Sequence, residues 1–208
     1  ADLRTAARRR LLDAAVQVIA EKGPHDADIE DFVAAAGVDR ETFDACFASP
    51  EDLLQALNTR ITVEMDWGLE DARNTIDDPV VLLAAIMHRV WAAFTADPIK
   101  GWVALRLEGS LAPIHPMWRE QFEVLHRRAV SDGRFHLTDP RTARTLTFGA
   151  FRMAIRDLYL GQVTPDHAHH LVVMLLTAFG LSREEAIAIS QSQDVSAACG
   201  AGRRATAH

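Results

Sequence analysis

An all-α fold follows from three observations on the 208-residue sequence. Apolar residues recur at helical spacings of three and four, and Pro and Gly cut the chain into helix-sized segments. No stretch alternates apolar and polar residues for long enough to build a sheet. The segments group into an N-terminal three-helix head at 1–48 and a larger helical domain at 49–191. Beyond these, a tail at 192–208 has a Ser, Ala, Gly and Arg content that indicates disorder.

The head reads element by element. Leu12, Ala15, Val16 and Ile19 form one apolar stripe on a first helix from Thr5 to Lys22, which Gly23 and Pro24 end. Asp28 is placed to cap a second helix, Ile29 to Ala36, burying Ile29, Phe32 and Val33. Gly37 and Val38 make a tight turn. Asp39 then caps a third helix in which Phe43 and Phe47 point inward while Arg40, Glu41, Asp44 and Ala45 point out. Two short helices joined by a Gly-containing turn make a helix-turn-helix.

Punctuation sets the rest. A fourth helix runs from Pro50 to Asn74. The sequence Asp77-Asp78-Pro79 starts a fifth through Val81, Ile86, Val90 and Phe94. Asp97-Pro98 opens a sixth, Pro116 a seventh and Asp139-Pro140 an eighth reaching Leu160-Gly161, each with Pro in the first turn. Thr164-Pro165 opens a ninth, and Ser182-x-x-Glu185 is a capping box for a short tenth.

In these residues the chain resembles the TetR family of one-component bacterial regulators. The resemblance rests on LLDAAVQVIAEKG in the first helix, the AAAGV turn at 34–38, Thr42-Phe43 and Phe47 in the third helix, and SPEDLLQAL at 49–57. Beyond residue 66 it is a resemblance of architecture only. It implies a DNA-binding head joined to a helical ligand-binding and dimerisation domain, and a repressor that leaves a pseudo-palindromic operator when a small effector binds. It also implies a homodimer through the eighth and ninth helices. HLVVMLLTAFGL at 170–181 is apolar nearly all round and demands burial on more than one side, which suits that arrangement.

Charge bears on the first of these functions. The chain carries a net charge of −7, and between Gly23 and Leu54 nine acids face a single base, Arg40. Phosphate neutralisation supplies most non-specific DNA affinity, so this head opposes it. Similar proteins commonly place an aromatic where this chain has Asp44, Tyr or His at Cys46, and Lys at Pro50. The remaining DNA candidates are Arg8 and Arg9 in an N-terminal arginine arm that also holds Arg4 and Arg10, with Arg40, Thr42 and Ala45 on the third helix.

An effector site is expected from an aromatic and thioether inventory: Trp67, Met87, Trp91, Phe94, Trp102, Trp118, Phe122, Phe148 and Phe151. His88, Arg106, Glu108, His115 and Arg152 are the orienting polar groups, and together they suit a hydrophobic or aromatic effector held between the fourth and eighth helices. All four tryptophans fall between 67 and 118.

The competing class is a TetR-like protein with a vestigial head, acting as a small-molecule-binding protein or an enzyme. Against catalysis, no GxSxG, Gly-rich phosphate loop or HExxH is present. His167 and His170 share a helix face but lack a third ligand with clear spacing, so neither a metal nor any cofactor is expected. Cys46 and Cys199 show no disulfide framework, and the sequence has no charged-then-apolar leader and no uninterrupted run of eighteen apolar residues. A cytoplasmic protein without a membrane partner is therefore expected.

Overall fold

The computed structural model describes residues 2–66, 69–108 and 116–198. Its elements are α1 (Asp2–Glu21), α2 (Ile29–Ala36), α3 (Arg40–Cys46), α4 (Pro50–Asp66), α5 (Leu69–Thr75), α6 (Pro79–Ala96), α7 (Pro98–Glu108), α8 (Pro116–Ser131), α9 (Pro140–Tyr159), α10 (His167–Phe179) and α11 (Arg183–Ser190). No strand occurs among the described residues. The segment expected as one fourth helix is described as α4 and α5, so the helices expected as eighth and ninth are α9 and α10.

The chain forms two compact units. The first takes residues 1–64 and 97–113, the second residues 65–96 and 114–208. The division therefore does not coincide with the boundary expected at 48/49. In the first unit, Leu53, Leu54, Leu57 and Ile61 of α4 are buried, and Arg60 of α4 donates to the Asp13 carboxylate at 2.7 Å and to the Leu12 carbonyl at 3.1 Å. Helix α7 packs on α1 as well. Apolar burial and the Arg60 bonds hold α4 with the head, and packing on α1 holds α7 there, which sequence periodicity alone does not reveal.

The head forms as its caps dictate. Asp28 accepts from the Asp31 amide at 3.0 Å while the Asp31 carboxylate accepts from the Asp28 amide at 3.1 Å, closing a capping box on α2. Gly37 ends α2 at φ 60, the left-handed region that glycine enters without a Cβ penalty. Leu11, Ala15, Ile19, Phe32, Phe43 and Leu57 are fully buried, and Phe43 meets Phe47 at 5.8 Å between ring centroids. Each large side chain so buried contributes about 1.5–3 kcal/mol.

The second unit is built around α6, which packs against α5, α8, α10 and α11. Surrounded in this way, α6 buries ten side chains rather than one stripe, while Val81, Ile86 and Val90 are half-buried. By length and composition α6 could cross a membrane, with a hydropathy of 1.5, yet 56% of it is buried inside the fold. Its place as a core helix accounts for that apolarity.

Two local expectations are corrected. Ser182 accepts from the Glu185 amide at 3.2 Å, but the Glu185 carboxylate accepts from Arg134 at 2.6 Å, so the α11 capping box is only half formed. The disorder expected from 192 does not hold for 193–198, which are helical, because Val195 and Ala198, three apart, bury one face.

Candidate functional site

In the head, the structure separates the DNA candidates. Arg40 is exposed, but its guanidinium donates to the Glu30 carboxylate at 3.2 Å and to the Asp44 carboxylate at 3.3 Å. It lines a cleft of about 480 Å³ with Glu30, Pro50 and Glu51. Thr42 and Ala45 line a different groove, of about 750 Å³, together with Arg4, Ala7, Arg10 and Cys46. The Thr42 amide donates to Asp39 at 2.8 Å, and hydrogen bonding from Thr42 holds the Asp39 carboxyl below its usual range.

The arginine arm is partly committed to structure. Arg10 donates to the carbonyls of Ala36 at 2.6 Å and Gly37 at 3.0 Å, pinning α1 to the helix-turn-helix turn. Arg8 lies over the Phe47 ring at 4.8 Å, a cation–π contact that leaves the guanidinium exposed, and Arg9 is exposed as well. Arg10 was indistinguishable from Arg8 and Arg9 by sequence. Its acceptors are carbonyls 26 and 27 residues away, and no side-chain pattern marks them.

Three effector candidates, Trp102, Arg106 and Glu108, belong to the first unit. Arg106 of α7 donates to the carbonyls of Ile19 at 2.9 Å and Ala20 at 3.1 Å, in the last turn of α1, and its guanidinium lies 5.3 Å from the Trp102 ring. It thereby serves the Ala20 carbonyl at the helix end and adds a second donor to the Ile19 carbonyl, which also accepts from the Gly23 amide at 3.0 Å. Arg106→Ala is expected to lower stability by about 1–2 kcal/mol, with Arg106→Lys recovering part of the loss. A denaturant midpoint unchanged in Arg106→Ala would remove the clamp from this account.

The second unit holds the others. Trp67 and His115, and the Glu108 side chain, lie outside what is described. Met87, Trp91, Phe122 and Phe151 are buried, Trp118 and Phe148 half-buried, and Arg152 exposed. Trp91 meets Phe151 edge-on at 6.4 Å, and its indole N–H donates to the Pro165 carbonyl at 2.8 Å. A second run of rings joins Phe148 to Phe122 at 5.8 Å, and Phe122 to Phe179 at 6.5 Å and to His126 at 5.9 Å.

His88 is turned to a partner that sequence reasoning missed. Its Nε2 lies 2.8 Å from the Ser190 hydroxyl, which is also 2.9 Å from His169 Nδ1, and the Gln191 amide nitrogen lies 3.5 Å from His169 Nε2. One assignment satisfies all three contacts. Gln191 donates to His169 Nε2, His169 Nδ1–H donates to Ser190, and the Ser190 hydroxyl donates to His88 Nε2. Burial, with His169 nearby, lowers the His88 pKa to about 4. A serine at the end of a helix gives no sequence signal for this role.

Among the described residues, no group of three or more His, Cys, Asp or Glu could hold a metal ion. His167 and His170 have ring centroids 6.4 Å apart.

Comparison with known proteins now bears on the arrangement. Residues 11–57 match the model of the bacterial regulatory proteins of the tetR family, and residues 78–192 match that of the tetracyclin repressor-like C-terminal domain. No curated protein matches the chain. Among solved structures, FadR from Bacillus subtilis in complex with stearoyl-CoA superposes with a TM-score of 0.69 at 21% identity, covering 84% of this chain and 99% of that one. RolR in complex with resorcinol gives 0.66 at 22% identity, covering 91% and 95%. A gamma-butyrolactone receptor, an ArpA-like protein, gives 0.62 at 16% identity, covering 91% and 96%.

A helix-turn-helix head followed by an all-helical unit rich in aromatic side chains defines a one-component transcription regulator rather than an enzyme. The chain belongs to the TetR family of ligand-responsive regulators.

Proposed function

We propose that this protein is a cytoplasmic repressor that binds a pseudo-palindromic operator as a homodimer and is released by a small hydrophobic or aromatic effector. The observation that carries the proposal is an apolar face left open on α9 and α10. Leu146 and Met153 on α9 and Leu160 at its C-cap are 43%, 55% and 51% exposed, and Met174 on α10 is 59% exposed. Thioethers and leucines set outward on two adjacent helices suit a two-fold mate. A dimer in turn presents two heads to two half-sites.

The effector site in this reading lies in the second unit, on the Phe148–Phe122 and Trp91–Phe151 ring pairs with Met87, Trp118 and Arg152. The superposing proteins named with resorcinol, stearoyl-CoA and a gamma-butyrolactone support an apolar or aromatic effector class. DNA would be met by Arg8 and Arg9 beside the groove holding Thr42 and Ala45, with Arg40 at its acidic neighbour. A mobility-shift assay on DNA flanking the gene, at low and moderate salt, tests the proposal. A shift abolished by an apolar effector is expected; no shift at low salt would overturn it.

One observation favours the second reading, a vestigial head: Arg40 is held by Glu30 and Asp44 rather than left open to phosphate. The two readings part at Asp44→Asn. If Arg40 serves DNA, removing one of its two carboxylates strengthens operator binding about three- to tenfold and steepens the salt dependence. Unchanged affinity would take Arg40 out of the interface.

A further inference from the structure

His126 of α8 is fully buried, and its two ring nitrogens are treated very differently by the fold. Nε2 lies 2.9 Å from the Leu137 carbonyl oxygen. A carbonyl only accepts, so Nε2 must carry a proton, and in the neutral imidazole Nδ1 is then a bare acceptor. No donor meets Nδ1 among the described residues. Protonating Nδ1 would not help, since it would leave an unpaired N–H instead. Burial also lowers the His126 pKa, against the opposing pull of the Leu137 bond and Asp139, which keeps the ring neutral near pH 7.

The surroundings restrict what can supply the missing donor. Phe122 stacks on the imidazole at 5.9 Å, Phe135 lies at 5.7 Å, and Phe179 stands edge-on at 6.1 Å. The aromatic run continues from Phe122 to Phe148 at 5.8 Å, and Phe148 is only half-buried. A single buried acceptor at the inner end of a run of rings is the pattern of an apolar ligand site with one orienting polar group. An unpaired buried acceptor is also costly to the protein while it stays empty.

We propose that His126 Nδ1 is the polar anchor of the effector site, accepting a hydrogen bond from a hydroxyl or N–H group on an aromatic effector whose ring lies among Phe122, Phe148 and Phe179. This deepens the effector-responsive reading above and rests on it. It narrows the effector class from apolar molecules in general to aromatic ones that carry a hydrogen-bond donor.

The test compares phenol with anisole, which keeps the ring and oxygen but has no donor, using calorimetry on the full chain. Phenol is expected to bind at least about tenfold tighter than anisole. In His126→Phe the two should bind within about twofold of each other, because the acceptor is gone and the apolar surface remains. The wild-type chain supplies an independent reading through the 15N resonance of His126 Nδ1, which should move on adding phenol and stay in place with anisole. This measurement decides the matter even if His126→Phe does not fold. Equal binding of the two probes to the wild type overturns the proposal, since Nδ1 would then be served by an internal water. Binding of neither probe, or a preference for phenol that survives in folded His126→Phe, overturns it too. If a long-chain fatty acid releases the operator while phenol does not bind, the anchor falls and the effector-responsive reading stands. If the operator is never bound, that broader reading falls on its own account.

Discussion

Replacing Met153 and Met174 together by glutamate is expected to leave a folded monomer that no longer retards operator DNA. Both side chains point out of the chain that carries them, at 55% and 59% exposed, so the protomer itself loses little. In a two-fold interface the same change places four carboxylates against apolar surface and against one another. Each faces a desolvation penalty of several kcal/mol in such a setting. Even about 4 kcal/mol in total raises the dimer dissociation constant roughly a thousandfold. Each head would then meet a single half-site, losing the gain in effective concentration that a linked second head provides. Sedimentation at micromolar concentration, alongside a thermal melt, checks this. A double variant that sediments as a dimer would place the interface elsewhere.

Acidification is expected to be the largest perturbation of the second unit that requires no mutation. The folded pKa of His88 lies at about 4, below the 6.5 of an unperturbed imidazole. Between those values the unfolded chain binds the proton more readily than the folded one, so stability falls as pH falls from 6.5 towards 4. Above the unfolded pKa the penalty is absent. Once pH has dropped below both values it reaches roughly 3 kcal/mol, taking about 1.4 kcal/mol for each pKa unit. His126, also lowered by burial, adds in the same direction. The carboxylate Asp78 acts alongside them. Burial pushes its pKa up, but hydrogen bonds from Arg134 and the Val81 and Val80 amides together outweigh that and bring it down. Its contribution is therefore lost at still lower pH, as pH falls through its lowered folded pKa. Urea melts from pH 7 to pH 4 should show a midpoint that declines from about pH 6.5 down to about pH 4. In His88→Gln, which keeps a polar partner for Ser190 without a titrating ring, the decline should be shallower. A decline of the same depth in both proteins would assign the sensitivity to other groups.

What the sequence made legible follows from how local the signal is. Asp28, Asp39 and Ser182 act on amides three residues ahead, so spacing finds them, and each caps the helix expected of it. Gly37 was equally legible, because the turn between α2 and α3 requires a left-handed residue. The features that escaped connect residues far apart in the chain. Arg106 and the end of α1 are 86 and 87 positions apart, and His88 and Ser190 are 102 apart. Such pairings depend on which helices become neighbours, and apolar periodicity reports only that a helix has a buried face. Charge was partly legible: nine acids against one base could be counted in the head, but not that two of those acids, Glu30 and Asp44, are spent on Arg40.

The clamp between α7 and α1 has an asymmetry that concerns how such a protein can change over time. Its donor is one side chain, Arg106, while its acceptors are the main-chain oxygens of Ile19 and Ala20. Every residue type supplies that oxygen, so drift in the α1 sequence cannot delete the acceptors as long as the helix keeps its place. The joint can be strengthened, loosened or abolished from a single codon on α7. Any tuning between the head and the helix behind it can therefore proceed without touching a residue that reads DNA.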